Sequence, residues 1–215
     1  GSISTAVGYV TLAANTTGAN NVAVGSSALT ANTTGDGNVG IGNNALDANT
    51  TADGNTGIGN LSLSTNTTGA SNTAVGQNSS FSNTTGGNNV ALGLNASYYN
   101  QTGGQNTAVG SSALTGASGQ SHTGNTAVGH NALAVATTGG NNVAVGTYAL
   151  DANTSASSNT AVGYNSMSAN VTGAGNTALG SGTLVLNTAS NNTAVGIDSL
   201  AANTSGTPNT ALGRL

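Results

Sequence analysis

Few side chains in this sequence can do chemistry, and their spacing decides of what kind. Asp36, Asp47, Asp53, Asp151 and Asp198 are the only acidic side chains, and Arg214 is the single basic residue beside two histidines. Asp36 and Asp53 stand one repeat apart and can form a small acidic spot, whereas Asp47 and Asp151 occupy equivalent positions of distant repeats. Hydrolysis by paired carboxylates needs a set separation across the scissile bond, and nothing in this spacing imposes one. Serine and threonine are abundant, but a nucleophile needs a base and an orienting group, which His122 and His130 alone do not supply. The two histidines lie eight residues apart without a cysteine or carboxylate nearby, which argues against a zinc site within one chain. Three copies of one histidine converging on an axis could hold an ion; a solvated loop histidine is the simpler alternative. No Asp-rich nonapeptide of the calcium-binding kind is present. The expectation is a non-enzymatic protein without a cofactor.

The remaining candidates are aromatic. Phe81 and Tyr98 are one repeat apart, with Tyr99 adjacent, and they follow Ser80 and Ser97 where most repeats carry leucine. An exposed aromatic ladder there would offer flat apolar surfaces to sugar rings. Alternatively, Phe81 and Tyr98 slip one place and fill the vacant leucine sites. A second interruption, Gly116 to Gly124, is predicted to bulge outward with His122 close to its tip. Phe81, Tyr98, Tyr99 and His122 are therefore the candidate ligand-binding residues.

These residues are carried by a repeat. The phrase Asn-Thr/Val-Ala-Val-Gly recurs thirteen times, ending at Gly8, Gly25, Gly42 and onward to Gly213, at intervals of 17 residues except for one of 19 and one of 16. Such a period is one coil of a solenoid, in which each coil buries its apolar side only against its neighbours. We number coil positions from the asparagine. Positions two (Thr or Val) and four (Val, Ile or Leu) share one face of a strand, and the Ala or Gly of position three leaves the other face nearly bald. The expectation is that position four is buried against the leucine of position nine, itself on a second short strand or extended corner. The bald face should lie very close to another backbone or packed layer. Asn-Thr-Thr-Gly at positions twelve to fifteen reads as the turn into the next coil. The position-one column, including Asn21, Asn38, Asn72 and Asn106, should bond side chain to side chain up the stack at about 4.8 Å, with Gly25, Gly42, Gly76 and Gly110 as structural glycines.

Composition narrows the partners. The chain has 215 residues, no cysteine, a net charge of −4 and only 3% charged residues. One basic side chain cannot grip nucleic acid or an anionic bilayer electrostatically. No apolar run approaches the roughly 20 residues needed to span a membrane. Absence of cysteine fits an exported protein, although many cytosolic proteins share it. Strict periodicity argues for order despite the glycine and serine content. Gly1-Ser2 reads as a cloning remnant, and residues 3–215 as one repeat domain cut from a longer fibre. Asn-Thr-Thr and Asn-Thr-Ser also match the N-glycosylation pattern, which in a bacterial or phage product would simply be turns.

Stretches such as Asn20-Asn21-Val22-Ala23-Val24-Gly25 and Asn141-Asn142-Val143-Ala144-Val145-Gly146 resemble the head repeat of trimeric autotransporter adhesins of the YadA type. The resemblance covers essentially the whole chain, although that family's usual coil is three residues shorter. It implies an all-β, left-handed parallel β-roll in a tight homotrimer, displayed outside a bacterial cell. The implied role is attachment to a host, prey or matrix component, a glycan among them. A thin core supplies an independent motive for an oligomer, because each coil offers little apolar side chain against the entropy of ordering it. A receptor-binding segment of a phage or virus tail fibre would be built identically. An ice-binding solenoid is the third reading: position two is Thr in nine of thirteen coils, but it shares its face with position four, which this reading expects to be buried.

Overall fold

The computed structural model describes residues 3–214; Gly1, Ser2 and Leu215, including the proposed cloning remnant, lie outside the described residues. Positions two to four form one three-residue strand per coil, from Thr5–Val7 to Thr210–Leu212, thirteen in all. They make a single parallel sheet whose strand order follows the chain. The architecture is a β-solenoid of about twelve turns. Register never slips: Val24 pairs with Ile41, and Thr107 pairs with Thr126 across the long interval as Thr177 does with Thr193 across the short one. Both irregularities are absorbed in loops, so the strand phase is preserved.

Side-chain orientation reverses the expectation. The small residues of position three point inward: Ala23, Ala74, Ala91 and Ala108 are fully buried. Position four points outward, with Ile41, Val75, Leu92 and Leu179 exposed by 36–48%. Leucine of position nine lies beneath position three, not position four; a Cβ added to Gly40 would sit 3.2 Å from Leu29 Cγ. The bald face thus packs against a layer of the same chain. Large inward residues on both walls of so narrow a roll would not fit, so the bulk comes from leucine and the sheet supplies alanine or glycine.

No second strand forms at positions eight and nine. Positions seven and nine are left-handed instead, as at Ser27 (φ 58°), Leu29 (φ 51°), Asn44 (φ 52°) and Leu46 (φ 53°). Left-handed backbone costs an ordinary residue roughly 1–2 kcal/mol, and burying the leucine returns about 1.5–3 kcal/mol. This geometry keeps backbone groups directed along the stack: Asn44 N–H donates to Ser26 O of the preceding coil at 3.0 Å, and Leu29 N–H to Ala45 O of the next at 3.0 Å. The left-handed residue of the closing turn falls at position seventeen, for example Asn20 (φ 58°) and Gly37 (φ 65°), outside the Asn-Thr-Thr-Gly segment.

Two buried asparagine columns fasten the coils. At position one, Asn38 N–H donates to Asn21 Oδ1 at 2.8 Å, while Asn38 Nδ2 donates to Ala52 O at 2.8 Å, closing its own coil. Asn72 and Asn106 repeat the arrangement, each backbone N–H bonding the asparagine Oδ1 of the preceding coil. At position twelve, Asn49 Nδ2 donates to Asn32 Oδ1 at 2.9 Å and Asn66 Nδ2 to Asn49 Oδ1 at 3.0 Å. These position-twelve amides are buried and hydrogen-bonded, so the folded chain does not present them as glycosylation acceptors.

Gly25, Gly42, Gly76 and Gly110 mark the corner after the strand. Gly110 has φ +131°, and a Cβ there would lie 2.6 Å from the carbonyl oxygen of Gly129 in the next coil. The close approach is between coils of one chain. We predict that Gly110→Val destabilises the single chain by about 3 kcal/mol or more, through backbone strain and the clash together. Circular dichroism should show a lowered thermal midpoint at every protein concentration; an unchanged midpoint would contradict this account of coil stacking.

Candidate functional site

The aromatic interruption sits on the wall opposite the sheet, across the core. Ser80 and Ser97 keep the inward, left-handed geometry of the leucines they replace and are nearly fully buried. Phe81 and Tyr98 therefore stay at position ten and do not slip into the leucine sites. Their rings stack with centroids 5.0 Å apart and an interplanar angle of 18°. Tyr99 meets Tyr98 edge-on at 4.5 Å and 72°, both favourable aromatic geometries. One coil further on, Thr115 occupies position ten, so the ladder ends at Tyr98. Beside that end lies a cleft of about 330 Å³ lined by Asn78, Asn95, Tyr98, Tyr99, Ser112 and Thr115. The position-seven asparagines are preset by a bond from Asn78 Nδ2 to Asn95 Oδ1 at 3.1 Å.

His122 is not a loop-tip residue. It is 1% exposed, and the solvent-facing part of the insertion is Ser118, Gly119 and Gln120. By His122 the chain has regained coil geometry. Its carbonyl accepts Asn106 Nδ2 at 2.8 Å, the bond position fifteen makes elsewhere, and its N–H donates to Asn100 Oδ1 at 3.2 Å. The imidazole turns inward beside Gly116, where an added Cβ would lie 3.0 Å from Nε2. Neither ring nitrogen has a hydrogen-bond partner in the protein. Burial lowers its pKa to about 4, so the folded chain holds it neutral.

Two of the five acidic residues, Asp36 and Asp53, act as loop caps. Asp36 Oδ1 accepts Ala19 N–H at 2.6 Å and Asp53 Oδ1 accepts Asp36 N–H at 2.7 Å, so the expected acidic spot is a pair of loop caps. Burial raises the pKa values of Asp47 and Asp151. No cluster of three metal-ligating side chains occurs among the described residues. No helix among them is long and apolar enough to cross a membrane.

Two surfaces escaped sequence reasoning. His130, Tyr148 and Tyr164 line up on successive coils, with centroid separations of 5.7 and 6.4 Å and edge-on rings. Their sequence separations of 18 and 16 residues disguise a repeat of 17, because Tyr148 sits one coil position off. The larger surface is the outward face of the sheet, where positions two and four form parallel Thr/Val and Val/Ile/Leu columns over thirteen strands. Neither column contains a charged residue.

No protein-family model, curated protein or solved structure matches this chain.

Because His122 is neutral when folded and has an ordinary pKa near 6.5 when unfolded, the unfolded chain binds the extra proton as pH falls. Its contribution is intact above about pH 6.5 and declines toward pH 4, by about 3 kcal/mol in all. Asp47 and Asp151, with raised pKa values, act in the opposite sense near their own titration, so the effect is read as a difference between two proteins. We predict that wild type loses stability relative to His122→Phe over this window, measured by urea denaturation. Parallel curves for the two proteins would refute a neutral buried imidazole.

Proposed function

We propose that this chain is a non-enzymatic segment of a surface fibre in which three parallel copies pack through the outward face of the sheet. The carrying observation is the aliphatic column of position four, which faces away from the chain's own core along the whole solenoid. A row of half-exposed Val, Ile and Leu flanked by Thr and Val is a surface that gains by being covered. Its repeat is identical in every copy, so a second and third chain match it coil for coil without shape adjustment. The absence of charge on both columns removes the desolvation cost of bringing like surfaces together. A closed threefold arrangement covers each face without leaving a growing end on the side of the bundle.

The resemblance of Asn21 to Gly25 and its equivalents to YadA-type head repeats supports the same assembly and an extracellular, cell-surface setting. A virion tail fibre remains the alternative setting for the same assembly. Twelve coil-to-coil steps of about 4.8 Å give a rod of roughly 58 Å, and three parallel copies let weak contacts act together in attachment to a host, prey or matrix surface.

A specific observation favours one other reading. The threonines of position two and the aliphatic residues of position four both face outward in strict register, which removes the expected burial that counted against ice binding. The two readings compete for one face and separate by mass. Light scattering coupled to size-exclusion chromatography should return three times the 20.2 kDa chain mass. Val75→Asp should shift that mass to a monomer while the β-sheet signal persists. A wild-type monomer would overturn the fibre proposal, and a freezing-point gap in that monomer would establish ice binding in its place.

A further inference from the structure

The cleft at the end of the aromatic ladder carries an inference beyond assembly. We infer that Tyr98, Tyr99, Asn78, Asn95 and Ser112 form a binding site for a neutral sugar ring. One face of Tyr98 is occupied by Phe81, but Phe81 does not line the cleft; Tyr98 faces it where Thr115 replaces the next aromatic rung. A short threonine after two stacked rings leaves the cleft open beside Tyr98, where a third ring of the ladder would stand. Tyr99, 36% exposed and edge-on to Tyr98, forms a second aromatic boundary.

The polar side of the cleft suits hydroxyl groups. Asn78 Nδ2 and Asn95 Oδ1 engage each other, which leaves Asn78 Oδ1 as an acceptor and Asn95 Nδ2 as a donor. Thr115 Oγ1 is turned to Ser112 O at 2.9 Å, so its methyl group is left to meet the ligand's apolar side. A donor and an acceptor beside an aromatic face match a pyranose, whose hydroxyls lie around the ring and whose C–H bonds form flat apolar patches. Charge decides the class of sugar. Residues 72–124 contain no Asp, Glu, Lys or Arg, and the one histidine among them is buried and neutral. Nothing there would compensate a carboxylate or sulfate, so sialic acids and uronic acids are excluded in favour of neutral hexoses and N-acetylhexosamines. A cleft this small holds one or two rings, and each chain contributes one such cleft.

The wall that carries the cleft lies across the core from the sheet. Covering the sheet in a trimer leaves all three clefts facing solvent, and the site itself needs only one chain. Its failure is therefore distinguishable from failure of the trimer.

Saturation-transfer NMR with the methyl glycosides of glucose, galactose, mannose and N-acetylglucosamine tests the proposal on the full chain, with mass recorded on the same samples. At least one glycoside should receive saturation, with dissociation in the millimolar range expected of a shallow single site. Tyr98→Ala should weaken that binding at least tenfold. Because Tyr98→Ala also removes the stack on Phe81, a second variant is decisive: Thr115→Phe extends the ladder, fills the open cleft and should abolish binding with the thermal midpoint unchanged or raised. No transfer to any of the four glycosides would overturn the proposal. Binding that survives Thr115→Phe in a folded protein would overturn it equally. Absence of binding in an intact trimer would remove the sugar site alone, and sugar binding by a monomer would remove the trimer alone.

Discussion

Every feature of this molecule follows from one requirement: each coil must lie at strand spacing on the next, all the way round. Three-residue strands cannot supply that by themselves. The turn wall therefore places left-handed residues at alternate positions, seven and nine, and the closing wall uses asparagine amides in place of missing backbone partners. Backbone groups buried without partners would cost more than the thin core returns, so the hydrogen-bond ladder, not hydrophobic bulk, sets the sequence. Glycine at position five is the sharpest expression of this. Its α-carbon lies against the carbonyl of the next coil, and its φ near +130° is open to few other residues.

The same requirement determines what faces water. A roll whose two principal walls approach so closely can accept one large side chain per coil, and leucine at position nine takes that place. The sheet must then turn its small residues inward and its β-branched residues outward. The apolar outer surface is thus a consequence of the internal geometry. The proposed covering by identical copies would use a property that every coil already has. Departures from the repeat then fall on the other walls, where Phe81, Tyr98 and Tyr99 gather without disturbing the strand register.

Much of this was legible from period and residue type. The interval located the coils, Thr/Val-Ala-Val located the strands, and the asparagine column of Asn21, Asn38, Asn72 and Asn106 is buried. Its recurring rung, however, runs from backbone N–H to Oδ1, and the expected side-chain-to-side-chain bond is added only at some coils, such as Asn72 and Asn106. Stacking of Phe81 on Tyr98 followed from their separation by one coil. The facing of the strand did not follow. Alternation establishes two faces but not which is inner, and the usual preference for burying valine is overridden when the opposing wall brings its own leucine. The left-handed leucines were equally hidden, since no local propensity favours φ near +50° there. His122 misled because polar loop neighbours suggested solvent. Its inward turn depends on the Gly116 neighbourhood and on the shared coil geometry, which no residue type announces. Whether the Tyr98 cleft binds a sugar lies in its unfilled space, and spacing alone does not record that.

Position four faces outward, and we propose that copies meet there. The chain has no cysteine, so single nitroxide labels can be placed at Val75→Cys on the sheet face and, separately, at Thr85→Cys on the exposed closing turn. Pulsed electron–electron resonance then measures distances between copies. Copies packed through the sheet face should give one narrow inter-chain distance from position 75, distinctly shorter than that from position 85. No coupling between copies at either site, or the shorter distance at position 85, would contradict that packing.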